Sequence, residues 1–311
     1  MVKTALILGA NGRFGGTLAN AFWQEPGWHV RIFDRRTDDL ESAAQGVDVI
    51  VNGWSPPYDR WAAELPGLTE KVISAARSSG ARIVFPGNLY VYGAGSGPAL
   101  SHATPHLAEN PLGLIRREIE AMYRDAGVPV LILRAGDFID TEMSGNWFDR
   151  IITKPLAKGR IDYPSDTSAP HAWVFLPDLG RACIGLLECD LPKFSEMLFP
   201  GYTLSGQELS DALSEAVNAP VTPRAMAWWP IQLLAMAQPL MRGVIEMRYL
   251  WDMPHRVDAT QFEALLPEFS PTPVVDALRL TAPVQKVTGA HPPTPNRGAI
   301  LSQRCCPQPA R

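Results

Sequence analysis

Three glycines near the start of the chain have the spacing and the surroundings of a phosphate-binding turn. Gly9, Gly12 and Gly15 follow directly on the apolar residues 2–8. Where a buried strand ends in glycines and opens a helix, bare backbone can approach a pyrophosphate, and the helix offers free N–H groups and the positive end of its dipole. A second apolar run ends at Asp34, where an acid can bind the ribose of an adenine dinucleotide. Glycines also collect in turns that bind nothing, but this context favours the dinucleotide interpretation.

The charges around this turn leave the choice between NAD and NADP open. Asp34 favours the free 2′-hydroxyl of NAD, because its carboxylate repels a 2′-phosphate. Arg13, Arg35 and Arg36 lie close in sequence and could bind that phosphate instead, although a solvated turn explains them equally well. We therefore predict an NAD(P) site, with a lean to NADP because three arginines converge.

Composition and charge exclude several classes of function. At 311 residues the chain is long enough for one large core, or for one domain with a smaller partner. Charged residues make up 19%, the net charge is −4 and no basic face is evident, so we expect no nucleic-acid partner. The opening apolar run is too short for a signal peptide or a membrane anchor. The four cysteines show no metal-binding spacing, which predicts a reduced, cytoplasmic protein without a metal site.

Strands and helices alternate through the first half of the chain, and this order predicts a doubly wound parallel sheet of the α/β Rossmann class. Such alternation implies right-handed crossovers and a sheet covered on both faces. Ligands on these sheets bind beyond the carboxyl ends of the strands, where the strand order reverses. The predicted strands comprise residues 2–8, 30–33, 47–51, 81–85 and 128–133, and the helices between them include residues 59–79 and 111–126.

The second half is less regular and predicts a smaller C-terminal substrate-binding subdomain. We assign residues 1–140, completed by residues 171–200, to the dinucleotide-binding domain. Residues 141–170 and 201–280 form the predicted substrate-binding subdomain. From residue 281 onward, six prolines and no acidic residue predict a disordered tail over residues 281–311.

One stretch, residues 225–241, carries no charge and is rich in Trp, Met and Leu. A membrane span needs about twenty apolar residues, and Pro230 and Pro239 interrupt this stretch. We predict a buried or cleft-lining helix and no membrane partner, and peripheral membrane contact stays an open alternative.

The layout resembles the extended short-chain dehydrogenase/reductase superfamily, in its sugar-nucleotide epimerase and dehydratase branch, over roughly residues 2–280. The glycine turn matches the cofactor turn of that family. Residues 52–55 (Asn-Gly-Trp-Ser) match the end of the third strand, which lies along the cofactor, and residues 91–93 (Val-Tyr-Gly) match a motif after the fourth. Residues 134–138 (Arg-Ala-Gly-Asp-Phe) match the nicotinamide-side loop after strand five, and residues 171–178 resemble the sixth strand and its helix start.

The catalytic positions depart from the family pattern. The Tyr-x-x-x-Lys motif of the family aligns with residues 112–116, where Leu112 replaces the tyrosine and Arg116 the lysine. Asn88 stands where the family has a serine or threonine. The resemblance therefore implies an atypical member that keeps the fold and the cofactor turn without the standard triad. The implied cofactor contacts are Gly9, Asn11, Gly12, Arg13, Phe14, Gly15, Asp34, Arg35, Asn52, Gly53, Trp54 and Arg116.

A substitute acid is conceivable near the expected nicotinamide position. Hydride transfer to or from a carbinol needs a partner for the hydroxyl proton, and a tyrosine beside a cation can serve. Asn88, Tyr90 and Tyr92 are spaced by two, so in an extended chain they share the face that should look toward the nicotinamide. Our hypothesis is that Tyr90 or Tyr92, with Arg116 near, replaces the missing tyrosine and that Asn88 orients a substrate oxygen. The favoured alternative is that both tyrosines are pocket walls, as aromatics commonly are.

Two other polar residues give a weaker signal. Asp137 either faces the pocket or caps a turn, and His171 precedes a strand, where a histidine is more often an edge residue than a base.

Two classes of function follow from these observations. The first is an NAD(P)-dependent oxidoreductase or epimerase-like enzyme acting on a small polar substrate, either a sugar nucleotide or a carbonyl compound. The second is an NAD(P)-binding sensor or regulator without turnover. The tryptophan-rich second half favours a small-molecule cleft and hence the enzyme. The resemblance also implies a possible homodimer, and the sequence does not identify the substrate.

Overall fold

The computed structural model describes residues 2–289, in which thirteen strands and twelve α-helices alternate or cluster along the chain. The strands are β1 (Lys3–Leu8), β2 (Trp28–Ile32), β3 (Val49–Asn52), β4 (Arg82–Gly87), β5 (Ala99–Leu100), β6 (Val130–Arg134), β7 (Asp137–Ile139), β8 (Arg160–Tyr163), β9 (His171–Phe175), β10 (Phe194–Leu198), β11 (Tyr202–Leu204), β12 (Thr222–Ala225) and β13 (Arg256–Val257).

The helices cover both halves of the chain. They are α1 (Arg13–Gln24), α2 (Leu40–Ala43), α3 (Trp61–Ser79), α4 (Pro111–Asp125), α5 (Leu176–Glu188), α6 (Gly206–Val217), α7 (Trp229–Ala237), α8 (Pro239–Glu246), α9 (Arg248–Asp252), α10 (Thr260–Leu265), α11 (Val274–Arg279) and α12 (Ala282–Thr288). Short 3₁₀ helices lie at Tyr58–Arg60, Leu89–Val91 and Leu156–Lys158, and a π-helical turn lies at Phe148–Ile152.

The central sheet has six strands in the spatial order β10-β6-β4-β3-β1-β2, and every neighbouring pair is parallel. The chain leaves β1 for β2 on one side and then crosses to β3 on the other. The strand order therefore reverses at β1, which is where an open α/β sheet forms its ligand crevice. The predicted doubly wound Rossmann class is confirmed.

Both faces of this sheet are covered, which explains why its inner strands β1, β3, β4 and β6 are largely apolar rather than alternating. Leu6 and Leu8 of β1 pack into the hydrophobic cluster that α3 and α4 cover. Ala5 and Ile7 point the other way, into the cluster covered by α1 and α5. The two apolar layers hold the carboxyl ends of the strands in fixed positions, and the candidate site lies at those ends.

The prediction that residues 172–175 form the sixth strand of the main sheet is wrong. They lie in β9, which pairs with β7 and β11 in a separate three-stranded sheet, and β10 is the strand that lies beside β6. Gly136 allows the separate sheet to form, because a Cβ there would lie 2.2 Å from the carbonyl oxygen of Ala172. The apolar run in β9 is typical of a buried central strand, whereas β10 contains Ser195 and Glu196, so the sequence favoured the wrong strand for the main sheet.

The predicted tail begins too early. Residues 281–289 are folded: Thr281 is buried, and α12 follows with Val284 packed against α6. Pro283 lies in the first turn of that helix, where its missing N–H costs nothing. The rest of the predicted tail, residues 290–311, lies outside the described residues.

A third hydrophobic cluster lies beyond the carboxyl ends of the main sheet. It contains residues of β8, β9, α6, α9 and α11, with Trp173, Trp228 and Trp251 among its buried side chains. Helix α6 begins with a full capping box, in which the Ser205 hydroxyl accepts the Glu208 N–H and the Glu208 carboxylate accepts the Ser205 N–H. This cluster forms the wall that faces the main sheet across the candidate site.

The uncharged stretch 225–241 is not one buried helix. It spans the end of β12, helix α7 and the start of α8, and the two helices meet at Gln238 and Pro239. Several large side chains of this stretch are exposed, Trp229 by 64% and Met236 by 78%. Within residues 2–289, no helix has the length and apolar character needed to span a bilayer.

Candidate active site

A cleft of about 2600 Å³ runs between the carboxyl ends of the main sheet and the third cluster. It begins at the glycine turn, passes the ends of β3, β4 and β6, and reaches α7 and α8. This is the position at which α/β sheets of this kind bind their ligands.

Two of the glycines in the turn are required by packing. Gly9 has a φ of 72°, and a Cβ on it would lie 2.7 Å from the carbonyl oxygen of Gly53. A Cβ on Gly15 would lie 2.4 Å from the carbonyl oxygen of Gly9. The end of β1, the start of α1 and the end of β3 therefore meet through backbone alone, and no side chain larger than hydrogen fits between them.

The third glycine faces the cleft. Gly12 is exposed, lines the cleft and is the N-cap of α1, with no side chain capping the helix. Among the described residues, the first turn of α1 therefore begins at the cleft without a side-chain cap. This bare helix start fits the pyrophosphate of a dinucleotide. Asn11, Arg13 and Phe14 line the cleft beside it.

The three arginines do not converge on one point. Arg13 donates from Nε and Nη2 to the carbonyl oxygens of Ser144 and Gly145, at 3.1 and 2.9 Å, and so bridges the turn to the loop after β7. Arg36 lines the cleft and lies 3.2 Å from a carboxylate oxygen of Asp34. Arg35 is exposed.

Of the three predicted contacts at the end of β3, Gly53 lines the cleft. Asn52 is buried, and its side chain donates to the Tyr123 hydroxyl at 2.8 Å and accepts the Trp54 N–H at 3.2 Å. Trp54 packs edge-on against Phe33. Asn52 and Trp54 therefore shape the strand end behind the cleft wall.

The residues at the family's catalytic positions are held by the protein itself. Leu112 is buried in the core cluster under α3 and α4. Arg116 is also buried, donates to the carbonyl oxygen of Pro86 at 2.5 Å, lies 3.4 Å from a Glu120 oxygen, and packs over the Phe85 ring. Burial lowers the pKa of Arg116. Arg116 is nevertheless part of the cleft lining, and within residues 2–289 its Nε has no hydrogen-bond partner.

The prediction that Asn88, Tyr90 and Tyr92 share one extended face is wrong. Residues Leu89–Val91 form a 3₁₀ turn, which the Asn88 side chain starts by accepting the Tyr90 N–H at 3.1 Å. The turn rotates the side chains apart, so that Asn88 and Tyr90 line the cleft. Tyr92 is fully buried instead, with its hydroxyl donating to the Ser101 carbonyl oxygen.

Tyr58 is a cleft residue that the sequence patterns did not single out. It follows β3 after two prolines, and its hydroxyl oxygen lies 2.6 Å from that of Tyr90. Burial raises the pKa of Tyr58, and burial together with the charges of Tyr58 and Asp137 raises that of Tyr90 well above its usual value. Both phenols therefore stay protonated at neutral pH and serve as hydrogen-bond donors.

Asp137 and His171, the weaker sequence candidates, form a pair in the same cleft. Nε2 of His171 lies 2.8 Å from a carboxylate oxygen of Asp137. The imidazole stacks flat on Trp251, with 4.0 Å between the ring centroids, and His255 packs against it at 4.6 Å. Tyr58, Tyr90, Asp137 and His171 all line the same cleft.

One group of possible metal ligands is present within residues 2–289, comprising His106, Glu120 and Glu196. Arg134, which is fully buried, lies 2.6 Å from an oxygen of each carboxylate and so takes the position of a cation between them. Burial raises the pKa of Glu196, but the hydrogen bond from His106 and the charge of Arg134 hold it at about 2. We interpret the group as an ion-pair network.

Comparison with known proteins identifies the fold. No protein-family profile matches the sequence, and no curated protein matches it. Among solved structures, the chain is similar to the UDP-glucuronic acid 4-epimerase from Bacillus cereus in complex with NAD, with a TM-score of 0.69, 15% identity, and 93% of this chain and 98% of that chain covered. It is also similar to the NAD-dependent NDP-hexosamine 5,6-dehydratase TunA, involved in tunicamycin biosynthesis, with a TM-score of 0.68, 18% identity, and coverage of 91% and 98%.

A third similar structure is the UDP-N-acetylglucosamine 4-epimerase from Methanobrevibacter ruminantium, with a TM-score of 0.64, 14% identity, and coverage of 90% and 96%. At these identities the likeness establishes the fold. The chain thus shares the fold of these epimerases and dehydratases, and the fold that the resemblance implied is confirmed.

Proposed function

We propose that this protein binds NAD(P) at the glycine turn and catalyses oxidoreductase or epimerase-like chemistry on a carbonyl or hydroxyl group held in the adjoining cleft. The observation that carries the proposal is the bare start of α1, where backbone amides meet the cleft between glycines that admit no Cβ. The likeness to epimerases and dehydratases that use NAD supports it.

The chain's own residues suggest how the proton of such a reaction is handled. When bound, the nicotinamide supplies or accepts a hydride at the substrate carbon. For an alcohol, the C–H electron pair leaves as hydride, a C=O bond forms and the O–H proton must be accepted. Asp137, oriented by His171, is the cleft carboxylate placed to accept it, and Tyr90 donates a hydrogen bond to the substrate oxygen. Asn88 orients the same oxygen from the end of β4.

Arg116 has a positioning role in this proposal. Its bonds to the Pro86 carbonyl oxygen and Glu120 hold the guanidinium in place, and its charge opposes the rise in the pKa of Tyr90. An arginine stays protonated and relays no proton itself.

The lean to NADP now depends on two arginines, since Arg13 is bonded to the loop after β7. Arg36 is the stronger candidate for a 2′-phosphate contact, because it lines the cleft beside Asp34. Titration of both dinucleotides against intrinsic fluorescence tests this lean, and tighter binding of NAD contradicts it.

Calorimetry on the pure, ligand-stripped protein tests the proposal as a whole. We expect saturable heat with NAD or NADP. Absence of heat with either dinucleotide at millimolar concentration overturns the proposal.

A dinucleotide-binding sensor without turnover is the second candidate, and a specific observation favours it. The side chain of Leu112 has no group that could exchange a proton. Burial raises the pKa of the Tyr58 and Tyr90 phenols instead of lowering it. A nicotinamide absorbance screen with pooled carbonyl and sugar-nucleotide compounds separates the two functions, because a sensor binds the dinucleotide but never changes its redox state.

A further inference from the structure

The part of the cleft beyond Tyr90 and Asp137 has an apolar wall. Helices α7 and α8 supply five aliphatic or methionine side chains to it, and Met143 of the loop after β7 lines the same cleft. Gln238, at the joint of the two helices, is the polar side chain that this wall adds among the described residues. The five are Ile231, Leu234, Leu240, Met241 and Val244.

These side chains are partly open to solvent although they line a cavity. Leu234 is 47% exposed, Leu240 39% and Met143 63%. Contiguous apolar surface of this kind is characteristic of a site that an apolar ligand covers. A ligand chain lying along α7 and α8 would remove this surface from water.

The wall formed by α7 and α8 offers a diphosphate no charged partner. Among the described residues, every side chain that these two helices and Gln238 between them present to the cleft is uncharged. An apolar surface does not compensate for the loss of water around a charged group, whereas a neutral ligand avoids this cost.

We propose that the substrate is a neutral alcohol or carbonyl compound with an apolar chain or ring. Its oxygen lies between Tyr90 and Asp137, and its apolar part lies along α7 and α8. The reaction of this compound rests on the function proposed above. Its binding to the cleft does not depend on that function. Such a substrate separates this chain from the sugar-nucleotide enzymes whose fold it shares.

Two neighbouring positions of α7 supply a matched pair of variants. Leu234 lines the cleft and is 47% exposed, whereas Leu233 is 58% exposed and is not part of the cleft wall. Glutamine is close to leucine in helix propensity, so Leu234→Gln and Leu233→Gln both leave α7 intact. Only the first changes the proposed binding surface.

The experiment follows tryptophan fluorescence while decanol, butanol or UDP-glucose is added to the full-length protein without a dinucleotide. We expect decanol to bind at least about ten-fold tighter than butanol, because its longer chain buries more apolar surface. Leu234→Gln should weaken decanol binding by about three- to ten-fold, and Leu233→Gln should leave it unchanged. UDP-glucose should give no saturable change.

The outcomes separate this inference from the proposed function. Tighter binding of UDP-glucose than of decanol overturns the inference. An equal loss of decanol affinity in Leu234→Gln and Leu233→Gln also overturns it, because it indicates adsorption to the outer face of α7. Because these titrations contain no dinucleotide, a failure of NAD(P) binding in calorimetry would overturn the proposed function and leave the decanol result standing.

Discussion

Two protonated phenols and one carboxylate–imidazole pair line the cleft, and we assign the handling of a proton to them. Tyr58 and Tyr90 share a 2.6 Å hydroxyl contact, and burial raises the pKa of each. Asp137 is held by His171 at 2.8 Å. In the proposed reaction, donation and acceptance of hydrogen therefore fall on different side chains, since a phenol with a raised pKa is a poor base.

Tyr90→Phe and Tyr92→Phe test the assignment of the cleft tyrosine. We expect Tyr90→Phe to lower kcat/KM by about a hundred-fold, the usual contribution of a positioned acid. Tyr92→Phe should keep its activity and lose about 1 kcal/mol of unfolding free energy, because it removes the hydrogen bond to the Ser101 carbonyl oxygen. Nicotinamide absorbance and urea unfolding measure the two effects. Full activity in Tyr90→Phe would make that residue a pocket wall.

The turn between β1 and α1 combines packing and binding in one element. Gly9 and Gly15 are confined by the backbone of the turn and of β3, and substitutions there distort the fold. At Gly12 a Cβ would lie 3.2 Å from the Gly9 carbonyl oxygen, a contact that a small shift relieves, and φ is −86°. Gly12 is therefore the glycine whose replacement separates binding from folding.

Gly12→Asp and Gly12→Asn make a matched test of phosphate binding at this helix start. Asp and Asn are both good N-cap residues, and the present N-cap, Gly12, has no side chain that could accept a hydrogen bond. Both variants should therefore be at least as stable as the wild type. The Asp carboxylate also repels a pyrophosphate, and we expect it to weaken dinucleotide binding by at least about a hundred-fold relative to Asn. Calorimetry and thermal unfolding measure both properties. Equal affinities of the two variants would contradict a phosphate at this position.

Taken as a whole, the protein places its reactive groups where three separately packed layers meet. The clusters under α3 and α4, under α1 and α5, and around Trp173 each reach the cleft.

His255 lies between β9 and the cleft, almost completely buried. Its Nδ1 lies 2.8 Å from the Met253 carbonyl oxygen, and its Nε2 accepts the Ala172 N–H at 3.5 Å.

This burial makes the stability of the whole molecule depend on pH. Burial first, and then the neighbouring His171, lowers the pKa of His255 to about 4, while the unfolded chain has the usual value of about 6.5. Between these values the unfolded state binds the proton and the folded state does not, so stability falls as pH falls from about 6.5 to about 4. We expect a loss of about 2 kcal/mol between about pH 7 and about pH 5 from this residue.

Urea unfolding at these two pH values measures the effect. His255→Gln should lose less stability on acidification than the wild type, because glutamine does not titrate. His29→Gln, which removes an exposed histidine of β2, should keep the wild-type pH dependence. The same pH dependence in His255→Gln and wild type would show that His255 is not the group responsible.

The homodimer implied by the resemblance stays a prediction. Analytical ultracentrifugation of the full-length protein measures it directly.

The sequence by itself determined the glycine turn and the largely apolar inner strands of the main sheet, and hence the fold class. These features depend on requirements that act within a few residues, such as a positive φ at Gly9 or a strand buried on both faces. Only the tertiary structure decided that Tyr58 meets Tyr90, that Asp137 meets His171 and that β9 leaves the main sheet. The two side-chain contacts join residues more than thirty positions apart, and the placement of β9 depends on one short turn. Local sequence patterns do not specify how packed elements bring such distant side chains together.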